Sequence, residues 1–185
     1  MLHVNFDPFP VITTERLVLR AITEKDAEDI FYLRTHGDLM RYIARPRPAS
    51  VEDLQPLIQK IQNNVTTNEG IAWAMTMKGD DRMMGHMSYH VLYKEHYRAE
   101  IGYMMRQEYH GQGIMDEAIK ATIAYGFDKL GLHSIEAHVN PANTASRKLL
   151  ERNNFKQEAY FKENIFWDGK FEDTVIYSLL APLPA

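Results

Sequence analysis

The chain has 185 residues, a formal net charge of −4, 45% apolar residues, 11% aromatics and no cysteine. That length suits one domain, assigned to residues 1–185, with room for a single sizeable core, and the missing thiols exclude disulfides, thiolate metal sites and a cysteine nucleophile. The acidic balance argues against a nucleic-acid partner and suits a cationic one better, while the lack of an apolar run of ~18 residues or of a basic-then-apolar leader predicts a soluble, cytoplasmic protein with no membrane segment.

Leu17, Val18 and Leu19 read as a short strand, after which Thr23 is placed to cap a helix carrying Ala27, Ile30, Phe31 and Leu33. Arg45-Pro46-Arg47-Pro48 must be a loop, and Ser50 with Asp53 resembles an acidic capping box before a second helix with Leu54, Leu57, Ile58 and Ile61. Three strands follow, Ile71 to Lys78, Met83 to Leu92 and Ala99 to Met105, with a polar turn at Gly79-Asp80-Asp81, and they read as an antiparallel meander. A long helix then presents Ile119, Thr122, Ile123, Gly126, Phe127 and Leu130 on one face and ends near Gly131. Gly126 costs that helix about 1 kcal/mol against alanine. Ser134 to Val139 is a strand, Asn143 to Arg152 a helix, and two strands flank the hairpin pair Asp168-Gly169.

The chemistry sits after the third strand of the meander. Ala99-Glu100-Ile101-Gly102-Tyr103-Met104-Met105 leads through a short loop into His110-Gly111-Gln112-Gly113-Ile114-Met115 at a helix start. Glycines there let backbone N–H groups approach an anion, and the helix N-terminus adds roughly half a positive charge, so the segment reads as a diphosphate cradle. A P-loop would need Lys and Ser or Thr after Gly113, where Ile114 and Met115 stand; a Rossmann turn would need a third glycine, where Asp116 stands. A Gly-x-Gly helix start alone is equally compatible with a structural turn.

His110 to Met115, centred on Gly113, resembles the coenzyme-binding turn of GNAT N-acetyltransferases, in which Gln or Arg is followed after two residues by Gly-x-Gly or Gly-x-Ala. The resemblance extends to Thr14-Glu15-Arg16-Leu17-Val18-Leu19-Arg20, Ala99 to Tyr103, Asn143-Thr144-Ala145-Ser146, Asn154-Phe155 and Asp168 to Asp173, and is strongest to the branch that contains the ribosomal-protein N-terminal acetyltransferases. It implies an α/β (α+β) fold with a mixed, mostly antiparallel sheet of about seven strands flanked by about four helices.

It also implies acetyl-CoA as cosubstrate and a primary amine as acceptor, either a protein N-terminus or a small polyamine or antibiotic. A non-catalytic acyl-CoA-binding module and a homodimer stay open. By the resemblance, Tyr103, Met104 and Met105 offer backbone groups to pantetheine, while His110, Gly111, Gln112, Gly113, Ile114, Met115 and Asp116 hold the diphosphate, with His110 a weaker phosphate partner than Arg, and Asn143 touches the coenzyme. Glu100 is the first candidate for the base, His138 the second and Glu163 a weaker third. Ser146 is the candidate for meeting the departing sulfur, because the family's usual tyrosine position falls on Leu150. Without a His-Glu-x-x-His or similar pattern, no metal is expected.

Overall fold

The computed structural model describes residues 1–182. Eight strands form one sheet in the order β1-β2-β3-β4-β5-β6-β8-β7. They are β1 Ile12–Thr13, β2 Leu17–Ala21, β3 Ile71–Met77, β4 Gly85–Tyr93, β5 Arg98–Met105, β6 Ser134–Val139, β7 Lys156–Trp167 and β8 Lys170–Leu180. Four α-helices flank them: α1 Ala27–Thr35, α2 Gln55–Thr66, α3 Ile114–Asp128 and α4 Thr144–Arg152. The eighth strand, against about seven expected, is β1, whose two residues pair with Val18 and Leu19. A pair of residues carries no period, so its hydrogen bonds and not its pattern define it.

Every strand pair is antiparallel except β5 with β6, which are joined through α3 and run parallel. Alternation along the strands divides the interior into two cores. Leu17, Trp73, Tyr89, Ala99 and Ile135 face α3 and α4, whereas Ala74, Met83 and Met104 face α1 and α2. Among the described residues no helix is long and apolar enough to cross a membrane.

The local signals behave as their chemistry requires. Thr23 opens a 3-10 turn, Glu24–Asp26, that runs into α1, and the Asp26 carboxylate accepts from the Thr23 N–H at 2.8 Å. Asp53 likewise accepts from the Ser50 N–H at 3.0 Å, half of the expected box, ahead of a 3-10 turn over Glu52–Leu54. Gly126 has a reason that propensity did not supply: a Cβ there would lie 2.4 Å from the Tyr89 hydroxyl, which donates to the Thr122 carbonyl at 2.8 Å. The helix gives up about 1 kcal/mol of propensity so that a fully buried tyrosine can sit against its backbone.

Candidate active site

The parallel strands β5 and β6 pair only at Arg98 with Ser134, Ala99 with Ile135 and Glu100 with Glu136. Both continue, β5 to Met105 and β6 to Val139, so beyond Glu100 and Glu136 they part and leave a fork whose backbone groups lack a sheet partner between them. A cavity of about 510 Å³ lies at this end of β5, lined by Tyr103, Met104 and Met105, by the start of α3 and by one face of α4.

The cradle is built by two glycines and an arginine. Gly111 and Gly113 both have φ of +74°, a left-handed conformation that costs an L side chain free energy. Gly113 is the residue before α3, so the N–H groups of Ile114, Met115 and Asp116 open the helix without intrahelical acceptors. Glu117 anchors this turn to the start of the chain: it accepts from the Thr14 hydroxyl at 2.5 Å, from the Arg16 N–H at 2.8 Å and from Arg16 Nε at 2.6 Å. Arg16 Nη1 also donates to the Gln112 carbonyl at 3.0 Å. The Thr14-Glu15-Arg16 motif therefore acts as a clamp on the turn.

Most of the residues assigned to the coenzyme line the cavity: Tyr103, Met104, Met105, His110, Gly111, Gly113, Ile114, Met115, Asp116 and Asn143. Gln112 does not; its side chain turns back onto the Glu108 carbonyl at 2.7 Å. His110 Nε2 lies 2.9 Å from the Met105 carbonyl, so that nitrogen is occupied with closing the turn. Asp116 is tied to Lys120 at 2.7 Å and to Asn153 at 2.9 Å, leaving its backbone N–H as the group suited to an anion. Asn143 caps α4, accepting from the Ser146 N–H at 3.1 Å with its side-chain oxygen.

On α4 the cavity face is Ala145, Ser146, Leu149 and Arg152, a helical spacing of three to four residues. Leu150 is wholly buried in the core beneath and is not on that face. The tyrosine that meets Ser146 comes from β5 instead: the Tyr103 hydroxyl lies 2.8 Å from Ser146 Oγ. Burial pushes the Tyr103 phenol up to about 12, the Ser146 hydrogen bond only partly opposing it, so the phenol stays protonated at neutral pH.

Glu100 occupies the mouth of the fork on the opposite face of the sheet. A bulge in β4 between Tyr89 and Val91 makes His90 the extra residue, and its Nε2 lies 3.1 Å from Glu100 Oε1. Gly102 leaves room for that ring, since a Cβ there would come within 3.1 Å of His90 Nδ1. His138 Nδ1 is 3.9 Å from Glu100 and its Nε2 3.4 Å from Glu136. Burial alone would raise the Glu100 carboxyl, but the His90 hydrogen bond and the charges of His90, His138 and Arg45 outweigh it and hold the group below the usual carboxylate range. Glu100, Glu136 and His138 bring ligand atoms within 4.8 Å of one another, a spacing a divalent cation accepts. Arg98 Nε, 3.4 Å from Glu136, already opposes part of that charge. Glu163 sits apart, exposed at an irregularity in β7 with its N–H on Asp173 at 2.7 Å.

Three groups that the structure brings to the fork and the cavity escape the sequence reading: the Tyr103 hydroxyl, His90 and Arg152. Arg152 was within reach, because it continues the Ala145, Ser146, Leu149 face by one more helical step. His90 was not, because a bulge reverses strand alternation without a residue signature.

A family model for the acetyltransferase (GNAT) domain matches residues 16–156. The chain is 34% identical to an uncharacterised N-acetyltransferase, YoaA, of Bacillus subtilis (strain 168), over 94% of this chain and 98% of that one. It is 26% identical to the [ribosomal protein uS5]-alanine N-acetyltransferase of Escherichia coli (strain K12), over 92% and 91% of the two chains. The crystal structure of a GNAT-family acetyltransferase from Bacillus anthracis superposes with a TM-score of 0.81 at 30% identity, covering 92% of this chain and 98% of the other. The glycine turn, the forked strands and these relatives agree, and the chain belongs to the GNAT acetyltransferase family.

Proposed function

We propose that the protein transfers the acetyl group of acetyl-CoA to a primary amine at the fork between β5 and β6. One observation carries this: the fork opens between an ionised carboxylate, Glu100, on one face and a protonated hydroxyl pair, Tyr103 and Ser146, on the other. Aminolysis of a thioester needs those two kinds of group, one to receive the amine's proton and one to meet the leaving sulfur.

The amine enters neutral and attacks the carbonyl carbon; the C–N bond forms, the C–S bond breaks, Glu100 receives the proton from nitrogen and Ser146 donates toward the sulfur. A carboxyl held below 4.5 cannot strip a resting α-ammonium of pKa ~8 cheaply, since the gap of more than ~3 units costs at least about 4 kcal/mol. Proton transfer therefore follows attack, when the nitrogen has become acidic. Direct transfer from Tyr103 at about 12 to a thiolate near 8.5 is uphill by about 5 kcal/mol. Tyr103 instead donates to Ser146 Oγ and aims the serine hydrogen at the sulfur as a hydrogen bond without giving it up, so the coenzyme leaves as a thiolate that takes its proton from solvent. His90 and His138 lead the proton from Glu100 to solvent. The diphosphate lies on the N–H groups of Ile114 to Asp116, with Arg152 beside them.

The name of the Escherichia coli relative places its acceptor on a ribosomal protein, which supports a protein N-terminus as acceptor. The test is coenzyme-thiol release across a panel of peptide and small-molecule amines, with a matching acetyl mass gain on the amine. Ser146→Ala should lower kcat and kcat/KM together by about 100-fold while acetyl-CoA still binds. Coenzyme binding without thiol release from any amine would contradict the proposal and leave an acyl-CoA-binding module.

A further inference from the structure

The cavity face of α4 joins the two ends of the proposed coenzyme site. Near its start, Ser146 Oγ lies 2.8 Å from the Tyr103 hydroxyl. Just past its end, Asn153 Nδ2 donates to Asp116, in the first turn of α3, at 2.9 Å. From residue 146 to residue 153 a helix rises about 10 Å, at ~1.5 Å per residue. The helix therefore runs from the group assigned to the sulfur to the turn assigned to the diphosphate, and a coenzyme laid in the cavity lies alongside it. Arg152 lines the cavity at the diphosphate end, next in sequence to the residue that touches α3.

Among the described residues that line this cavity, Arg152 is the one lysine or arginine. The other polar groups there are already engaged. Asp38 accepts from Gln107 Nε2 at 3.1 Å, Asp116 is held by Lys120 and Asn153, and His110 Nε2 faces the Met105 carbonyl. Arg16, Arg20, Arg98 and Arg106 each have a carboxylate within 4.0 Å, whereas Arg152 has neither a carboxylate that close nor a side-chain hydrogen bond among the described residues. Its charge adds to that of the α3 N-terminus beside it, and two positive groups on one wall attract an anion more strongly than either does alone.

We infer that Arg152 binds the 3′-phosphate of the coenzyme and so sets which thioester the enzyme accepts. This rests on the acetyl-transfer reading above. The N–H groups of Ile114, Met115 and Asp116 provide for the diphosphate. The 3′-phosphate is a monoester of about −1.5 to −2 charges at pH 7, and Arg152 is the remaining cation on the wall to meet it. A guanidinium offers two parallel donors to two phosphate oxygens and stays charged at any working pH. Acetyl-CoA is thereby separated from thioesters that share its pantetheine arm but end without that phosphate.

The test is calorimetric titration of acetyl-CoA and of acetyl-dephospho-CoA, which lacks only the 3′-phosphate. The wild type should bind acetyl-CoA about tenfold more tightly, and the difference should shrink as salt rises. Arg152→Gln should abolish the difference by weakening acetyl-CoA alone, and Arg152→Lys should retain part of it. In turnover, Arg152→Gln should raise KM for acetyl-CoA and leave kcat unchanged. Arg152 is exposed outside the core, so these variants keep the fold. Lys148→Gln removes an exposed charge from the same helix outside the cavity lining and should keep the full preference. Equal affinity of the wild type for the two thioesters would overturn the inference while leaving acetyl transfer standing. So would a preference that survives Arg152→Gln, an equal loss of both thioesters in that variant, or a loss as large in Lys148→Gln. Binding of neither thioester by the wild type would overturn both.

Discussion

The two faces of the sheet are built from different materials. Toward α3 and α4 the core is apolar, and its polar members are satisfied locally: Thr122 donates to the Ala118 carbonyl of its own helix, and Asn153 to the Leu149 carbonyl and to Asp116. Toward α1 and α2 the same strands carry His86, Ser88 and His90 on β4, Glu100 on β5, and Glu136 and His138 on β6. The buried charges Asp26, Arg106 and Glu136 all belong to this second side. The difference follows from what each face is proposed to hold. A coenzyme can be gripped by backbone N–H groups at a helix start, which are present whatever the side chains, whereas proton transfer and acceptor choice need titratable groups.

The contrast predicts that acid weakens the second face first. Burial pushes the His86 imidazole down to about 4, with Arg34 and His90 adding to the shift. Its Nδ1 has no hydrogen-bond partner. An unfolded histidine protonates near 6.5, so the contribution of His86 to stability is fully present above about 6.5 and is lost as pH falls toward 4. The lowering of about 2.5 units corresponds to at most about 3 kcal/mol, less to the extent that the ring edge keeps solvent contact. Urea unfolding at pH 7 and pH 4.5 should show this loss, and His86→Gln should flatten it. An unchanged pH dependence in the variant would remove His86 as its source.

The first face should instead respond to volume. Replacing a helix-interior glycine by alanine ordinarily stabilises by about 1 kcal/mol, but Gly126→Ala would place its Cβ against the Tyr89 hydroxyl. Overpacking of this kind costs roughly 1–3 kcal/mol, so the variant should melt lower than the wild type. Gly126→Ala with Tyr89→Phe should recover part of the loss by removing the atom that clashes. A variant that melts higher than the wild type would show that the helix shifts freely at this point.

The same contrast explains how much could be read from the residues. The strand Ser134–Val139 has the bounds its pattern predicts, and α4 starts within one residue of expectation, because alternation and helical spacing reflect burial directly. The glycine turn was equally legible, since φ of +74° at Gly111 and Gly113 restricts the residue type. The acceptor side was less so. His90 reaches Glu100 through a bulge, and Tyr103 reaches Ser146 across 43 positions of sequence. Such contacts exist only once the sheet has assembled.

The division of labour between the faces is tested most directly by calorimetric titration of acetyl-CoA into two variants, with turnover measured on the same samples. Gly113→Val forces a β-branched residue into a left-handed conformation at the cradle and should lose coenzyme affinity by tenfold or more. Glu100→Gln keeps the shape of the fork and should bind acetyl-CoA like the wild type while turnover falls on the order of 100-fold. Full coenzyme affinity in a folded Gly113→Val protein, or lost affinity in Glu100→Gln, would contradict the assignment of the coenzyme to one face and of proton transfer to the other.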